Sequence, residues 1–198
     1  MGDKIRTAIE IAMEKAEKLS SLSQKEKEKI DIDKKIEPVI SRFFKNELDP
    51  EGLWRELKDE KNPVLKQFQE KLIDSLTMGL KQDELERRKN AVLALENLKK
   101  NPDTAYVEKL LNTLEDIGMR SVEEKDSFYN ELKSIIEKNP RLQLRQVESG
   151  GRKAAVRITV EEAINQSKDW QEFVSQHEKR FSQDFTSCVE KIRQELDI

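Results

Sequence analysis

Four helix-end signals constrain the fold of this chain more than any other feature. Each is an aspartate or asparagine followed by proline: Asp49-Pro50, Asn62-Pro63, Asn101-Pro102 and Asn139-Pro140. Proline fits the first turn of a helix but breaks its interior, so each pair marks a boundary. Between the pairs, apolar residues recur at steps of three and four, the spacing of one helix face. The chain is therefore predicted to form a series of amphipathic helices.

The composition narrows this prediction to helices with much exposed surface. Charged residues make up 39% of the chain and apolar residues 35%, against a usual charged fraction of about 25%. The fold class predicted is mainly α, an extended helical bundle or stacked helical hairpins. The 37 basic and 40 acidic residues nearly cancel, so the net charge gives no global attraction to nucleic acid or anionic lipid.

The sequence predicts a reduced, cytoplasmic setting without a membrane partner. No apolar run is long enough to cross a bilayer. Charges are scattered through residues 1–21, unlike a secretory signal. The single cysteine, Cys188, excludes an internal disulfide.

The first part of the chain is predicted to be a separable arm. Asp3 caps a first helix with an apolar stripe from Ile5 to Leu19. Residues 24–35 are almost wholly charged and are either a solvated helix or a linker. We therefore expect an arm over residues 1–37 and a helical body over residues 38–198, or one domain containing both.

Two glycines are predicted to end helices in the body. Gly79 ends the helix after Asn62-Pro63, and Gly118 ends the helix after Asn101-Pro102. Ser121 and Glu124 have the spacing of a capping box that starts a new helix. Residues 70–102 also align without gaps onto residues 108–140. This similarity indicates either a duplicated helical hairpin or two hairpins that share caps and leucine spacing.

The apolar period changes from 3.6 to 2 after residue 140. Leu142 and Leu144 alternate with polar residues, as do Val156 and Ile158, and Gly150-Gly151 lies between the two segments. This pattern predicts a β-hairpin over about residues 141–160. A long C-terminal helix follows from Ser167, with a narrow apolar stripe that includes His177 and Cys188.

The predicted hairpin has a distinct charge, because residues 141–158 contain five basic residues and only one acidic residue, Glu148. The candidate contacts to an anion or to nucleic acid are Arg141, Arg145, Arg152, Lys153 and Arg157. If the alternation is read on each strand, Arg141, Arg145 and Arg157 share the face opposite the apolar residues.

Two hypotheses explain this charge. In the first hypothesis, the hairpin is a wing that contacts nucleic-acid phosphates, since residues 103–160 have the order of elements of a winged helix, a helix–turn–helix followed by a hairpin. Alternatively, the arginines neutralise neighbouring acidic helices within the fold. The acidic residues at the start of the would-be recognition helix, over residues 122–126, favour the second hypothesis.

Two further features suggest association surfaces. A two-stranded sheet has open edges, so the hairpin must pack on a helix or pair with a second hairpin in a symmetric dimer. Phe43, Phe44, Trp54 and Phe68 form either a local core around the Asp49-Pro50 turn or a partner-binding groove.

The sequence offers no catalytic arrangement. His177 and Cys188 lie about 16 Å apart on one helix at ~1.5 Å per residue, too far for a base and its nucleophile. Both are predicted to be core residues, and no phosphate-binding loop, metal site or cofactor is expected. The prediction is a non-enzymatic cytoplasmic interaction or scaffold protein that binds protein partners or itself. The alternative is a nucleic-acid-associated protein that uses the hairpin.

Overall fold

The computed structural model describes residues 23–149 and 152–198. These residues form seven α-helices, labelled in order α1 Gln24–Phe44, α2 Pro50–Leu57, α3 Asn62–Asp74, α4 Gln82–Glu96, α5 Thr104–Lys138, α6 Val160–Asn165 and α7 Lys168–Leu196. A 3-10 helix at Pro140–Gln143 precedes strands β1, Leu144–Ser149, and β2, Arg152–Arg157. The predicted class is confirmed: the fold is mainly helical, with one small antiparallel sheet and a long C-terminal helix.

The chain divides into two compact units. The first contains the residues up to Ser75, Glu86–Thr104 and Leu196–Ile198. The second contains Leu76–Leu85 and Ala105–Glu195. The helix predicted to begin at Asp3 lies outside the described residues, and the predicted arm and body remain a prediction.

In the first unit, α1 packs against α2 and α3. The charged residues 24–35 are helical, and α1 continues through Pro38 without a break. The core contains residues from all three helices and from α4, with Phe43, Leu53, Phe68, Leu72 and Leu95 fully buried. The predicted aromatic cluster is divided, because Phe44 and Trp54 are exposed while Phe43 and Phe68 belong to this core.

The turn before α2 confirms the predicted cap. Asp49 is the N-cap, and its side chain accepts a hydrogen bond from the Gly52 amide at 2.7 Å. A Cβ atom on Gly52 would lie 2.8 Å from Leu48 Cδ1 and 2.9 Å from Asp49 Oδ1. Glycine is therefore required here by the close approach of the cap and the packed leucine, although it lies inside a helix.

The second unit is built on a helix longer than the sequence predicted. Residues 104–138 form one continuous helix, so the predicted end at Gly118 and the capping box at Ser121 are both wrong. Ser121 lies four residues after Ile117 and seven before Phe128, on the same helix face. A small residue at that position continues the packed stripe. The predicted end at Gly79 is also wrong, since α3 already ends at Asp74.

The continuous α5 changes two interpretations. Residues 70–102 contain a helical hairpin, whereas residues 108–140 lie almost entirely on one helix. The similarity between these segments therefore does not reflect two hairpins. The helix–turn–helix that a winged helix needs within residues 103–160 is also absent from this described segment.

An aromatic cluster joins α5 to α7 in the second unit. The rings of Phe128 and Phe173 stack with centroids 4.2 Å apart, and Tyr129 meets Trp170 edge-on at 5.5 Å. Leu132 and Ile136 extend this core to α6, where Ala163 and Ile164 are buried. The predicted apolar stripe of the last helix is confirmed by these contacts.

A capping box fixes the start of α6. The Glu162 amide donates to Thr159 Oγ1 at 3.1 Å, while the Thr159 amide donates to Glu162 Oε2 at 2.8 Å. The hydrogen bond from this amide, and then the one from the Thr159 hydroxyl, lower the pKa of Glu162. The charged carboxylate thus holds the end of the hairpin to the first turn of α6.

Candidate functional site

The hairpin places its arginines differently from the predicted arrangement. Its register pairs Leu144 with Arg157 and Arg145 with Val156. Residues paired across an antiparallel ladder share a face, so Arg145 and Arg157 lie on opposite faces. Arg141 lies in the 3-10 helix rather than on a strand. The predicted common basic face, opposite the apolar residues, is therefore wrong.

The turn length explains this error. Ser149 pairs with Arg152, so only two residues separate the strands. With a two-residue turn, odd-numbered residues of β1 oppose even-numbered residues of β2. Reading the alternation on each strand separately could not reveal this offset.

Each central arginine is held by one amide side chain. Arg145 Nε donates to Gln166 Oε1 at 3.0 Å, which ties β1 to the end of α6. Arg157 Nε donates to the Gln143 Oε1 atom at 2.8 Å, and Gln143 is buried. These bonds orient both guanidinium groups while their outer nitrogens have no protein partner among the described residues.

The proposed internal charge balance therefore lacks direct ion pairs. Among the described residues, Arg141, Arg145 and Arg157 have no carboxylate within salt-bridge distance. The side chains of the other two candidates, Arg152 and Lys153, lie outside the described residues. Beside the arginines, Leu144 and Val156 are each 47% exposed. The hairpin thus presents mixed cationic and apolar surface.

A second candidate site is a groove along α5. It has a volume of about 310 Å³ and is lined by residues of the α3–α4 connection, α4, α5 and α7. Its apolar lining consists of Met78, Leu80, Leu85, Leu114, Met119, Val122 and Phe185. Val122 is 57% exposed and Met119 is 44% exposed. Exposed apolar groups of this size beside a groove are typical of binding surfaces.

Gly118 opens the middle of this groove. A Cβ atom built on Gly118 would have no neighbouring heavy atom within 4 Å. Unlike Gly52, this glycine is not required by packing, and its effect is to leave space between Leu114 and Val122. We call the twelve lining residues together the Gly118 groove.

The charges of the groove are acidic. Glu115 and Glu123 line it, and its described lining contains no lysine or arginine. Glu115 accepts a hydrogen bond from Gln82 Nε2. Glu123 is exposed and has no ion-pair partner among the described residues. One signal for this site is present in the sequence, since Met119 and Val122 are apolar but lie off the packed stripe.

His177 is a packed residue, as predicted. It is 5% exposed and lies between Phe173 and Phe181, with ring centroids 5.2 Å and 4.6 Å away. Its Nε2 atom is buried without a hydrogen-bond partner among the described residues. A histidine enclosed by phenyl rings has no access to a substrate.

Cys188 is also buried on α7. Its Sγ atom donates to the Leu110 carbonyl at 3.4 Å. Burial raises the pKa of the thiol, although the nearby Lys191 acts in the opposite direction. A thiol in this setting packs as a small apolar group rather than reacting as a thiolate.

Within residues 23–149 and 152–198, no group of three or more His, Cys, Asp or Glu side chains could hold a metal ion. In the same part of the chain, every helix is too short or too polar to cross a bilayer.

Comparison with known proteins identifies a family. Residues 53–197 match the family described as a family of unknown function, DUF6657. No curated protein matches the chain, and no solved structure matches it. The matched residues contain both candidate sites, the basic hairpin and the Gly118 groove.

Proposed function

The chain belongs to this family of unknown function, DUF6657, and we propose that it is a non-enzymatic interaction protein whose helical surface binds another protein. The observation that supports this proposal is the Gly118 groove, where Met119 and Val122 expose apolar side chains to solvent. Their burial by a partner removes apolar surface from water, which is the main driving force of association. We place this activity in the cytoplasm, where a single buried Cys188 remains reduced.

Quantitative capture from cell extract tests this function. The tagged protein, its Val122→Asp variant and its Ile135→Asp variant serve as baits. Ile135 is exposed on the same helix but does not line the groove, so its variant carries the same added charge. We expect at least one protein that binds the wild type and the Ile135 variant and is lost with Val122→Asp.

The captured protein must repeat this pattern in purified form. Circular dichroism verifies that all three baits are folded, and light scattering identifies self-association when the partner is a second copy. Identical protein sets on all three baits would contradict binding through the groove.

A second candidate function is the binding of nucleic-acid phosphates by the hairpin. The observation that favours it is the absence of carboxylate partners for Arg141, Arg145 and Arg157 among the described residues. The outer nitrogens of a guanidinium group can donate two hydrogen bonds to one phosphate. Opposite faces for Arg145 and Arg157 suit a hairpin inserted between two phosphate backbones rather than one laid flat on a strand.

Fluorescence anisotropy with mixed-sequence DNA and RNA tests this candidate. We expect affinity to fall at least about tenfold between ~50 and ~200 mM salt, because phosphate contacts release counterions. Arg145→Ala with Arg157→Ala should weaken binding and flatten the salt dependence. Arg120→Ala on α5 is the matched control, since Arg120 is an exposed arginine outside the hairpin. Absence of binding at low salt would reject this candidate.

A further inference from the structure

We propose that the Gly118 groove binds an amphipathic helix that carries basic residues beside its apolar face. This inference rests on the proposed function, because it specifies the chemistry of the protein partner. The supporting observations are the shape of the groove, the residues exposed along α5 and the sign of the charges that line it.

The length and spacing of the site match a helical occupant. Its α5 residues are Leu114, Glu115, Gly118, Met119, Val122 and Glu123. They recur at steps of three and four over about 13.5 Å, or two and a half helical turns at ~1.5 Å per residue. A partner helix inserts its own side chains at the same spacing, as in helix-in-groove recognition. The space left by Gly118 receives one of them.

The volume of the site also suits the side chains of a partner helix better than a whole cofactor. A volume of about 310 Å³ lies at the lower end of the ~300–1,000 Å³ range of ligand pockets. The described lining contains no lysine or arginine that could orient a phosphorylated or carboxylated ligand. Its polar side chains are Thr77, Gln82, Glu115 and Glu123, and Gln82 donates a hydrogen bond to Glu115.

The carboxylates determine the charge of the partner. A neutral apolar occupant would remove water from Glu123 without replacing its hydrogen bonds, and burial of an unpaired charge is unfavourable. Lysine or arginine on the partner supplies those bonds and compensates the charge. An acidic helix would add repulsion from both Glu115 and Glu123. The groove therefore selects basic over acidic partners of equal hydrophobicity.

Two labelled model peptides test this selection directly. Each is an amphipathic helix of about 14 residues, or four turns, with leucines on one face. All remaining positions are lysine in one peptide and glutamate in the other. We expect the Leu/Lys peptide to bind at least about tenfold more tightly than the Leu/Glu peptide in fluorescence anisotropy, equivalent to ~1.4 kcal/mol. Equal binding of the two peptides, or no binding of either, would overturn the inference.

Paired variants separate the groove from the general acidity of the helices. Glu123→Gln should weaken binding of the Leu/Lys peptide several-fold. Glu137 is an exposed glutamate on the same helix, and Glu137→Gln should leave the binding unchanged. Val122→Asp and Gly118→Gln should abolish binding, while Ile135→Asp should leave it unchanged. If the Leu/Lys peptide were held only by nonspecific charge attraction, both Val122→Asp and Ile135→Asp would strengthen its binding. That result would also overturn the inference.

The outcomes of this experiment and of the capture experiment are distinguishable. Groove-dependent capture of a protein, together with equal binding of both peptides, leaves the interaction function intact and rejects the basic partner. If no protein is captured through the groove and the Leu/Lys peptide is not preferred, the proposed function itself is rejected.

Discussion

Lys99→Met is expected to destabilise the first unit by about 3 kcal/mol, since it leaves a buried carboxylate without its cation. Lys99 Nζ lies 2.7 Å from Glu96 Oε2, and the two side chains are only 9% and 5% exposed. Lys99 also donates to the Leu196 carbonyl at 3.2 Å, where α7 ends. Methionine preserves the length and packing of the side chain but removes both interactions.

The surrounding contacts show why the carboxylate cannot compensate. Gln69 Nε2 donates to Glu96 Oε2 at 2.9 Å and to the Val92 carbonyl at 3.2 Å. The Gln69 Oε1 atom is itself buried without a partner among the described residues. This polar cluster therefore depends on Lys99 for its only positive charge among these partners.

Urea unfolding followed by circular dichroism measures the predicted loss. Lys100→Met is the matched control, because Lys100 is the adjacent exposed lysine, and it should change stability by less than about 0.5 kcal/mol. Adding Glu96→Gln to Lys99→Met should restore more than half of the loss, since a neutral amide still accepts from Gln69. A loss below about 1 kcal/mol for Lys99→Met would show that the pair contributes as little as a surface ion pair.

Local signals in the sequence predicted the parts of the fold that local chemistry controls. The cap at Asp49 is correct because it depends on a hydrogen bond between residues three apart. The hairpin is also correct in position, since Gly150-Gly151 and the change of period are local. The stripe of α7 follows from helical spacing alone.

The errors arise where a local signal competes with packing over longer distances. Gly118 and Ser121 have the chemistry of a helix end, but neither disrupts the packed face between Ile117 and Phe128. A glycine inside a helix costs only about 1 kcal/mol relative to alanine, so the contacts of α5 decide the outcome. On the hairpin, the face of each arginine depends on the register, which the alternation of a single strand does not contain.

The same distinction explains what was missed at the candidate sites. The basic composition identified the hairpin, but only the structure shows that amides, rather than carboxylates, hold Arg145 and Arg157. The Gly118 groove combines residues from four segments of the chain. Its full lining could not be assembled from sequence spacing, because Phe185 and Leu80 are more than one hundred residues apart.

Arg87→Met is expected to destabilise the first unit by about 3 kcal/mol, because its guanidinium group donates hydrogen bonds to three residues at the connection between α1 and α2. Arg87 donates from Nη2 to the carbonyls of Phe43 and Leu48, the latter at 2.6 Å, and from Nη1 to Asn46 Oδ1. Its Cζ atom also lies 4.0 Å from the centroid of the Phe43 ring. Hydrogen bonds from a charged donor contribute about 1.5–3 kcal/mol each.

The backbone of the connection makes these contacts necessary. Asn46 has a φ of 62°, the left-handed conformation that ends α1 and turns the chain towards Asp49. The Phe43 carbonyl accepts a backbone hydrogen bond from the Asn46 amide at 3.1 Å, and Arg87 adds a second bond to it and supplies one to the Leu48 carbonyl. Without the guanidinium group, the partly buried Leu48 carbonyl loses this hydrogen bond.

Comparison of two substitutions identifies the cause. Arg87→Lys retains the charge and should recover less than half of the loss, since a single ammonium group cannot reach the carbonyls and the amide with forked geometry. Arg120→Met, at an exposed arginine on α5, should change stability by less than about 0.5 kcal/mol. Hydrogen exchange should also accelerate at residues 45–49 in Arg87→Met before it does so elsewhere in the first unit. Full recovery by lysine would show that charge and ring contact stabilise the connection, and that its geometry does not depend on the guanidinium fork.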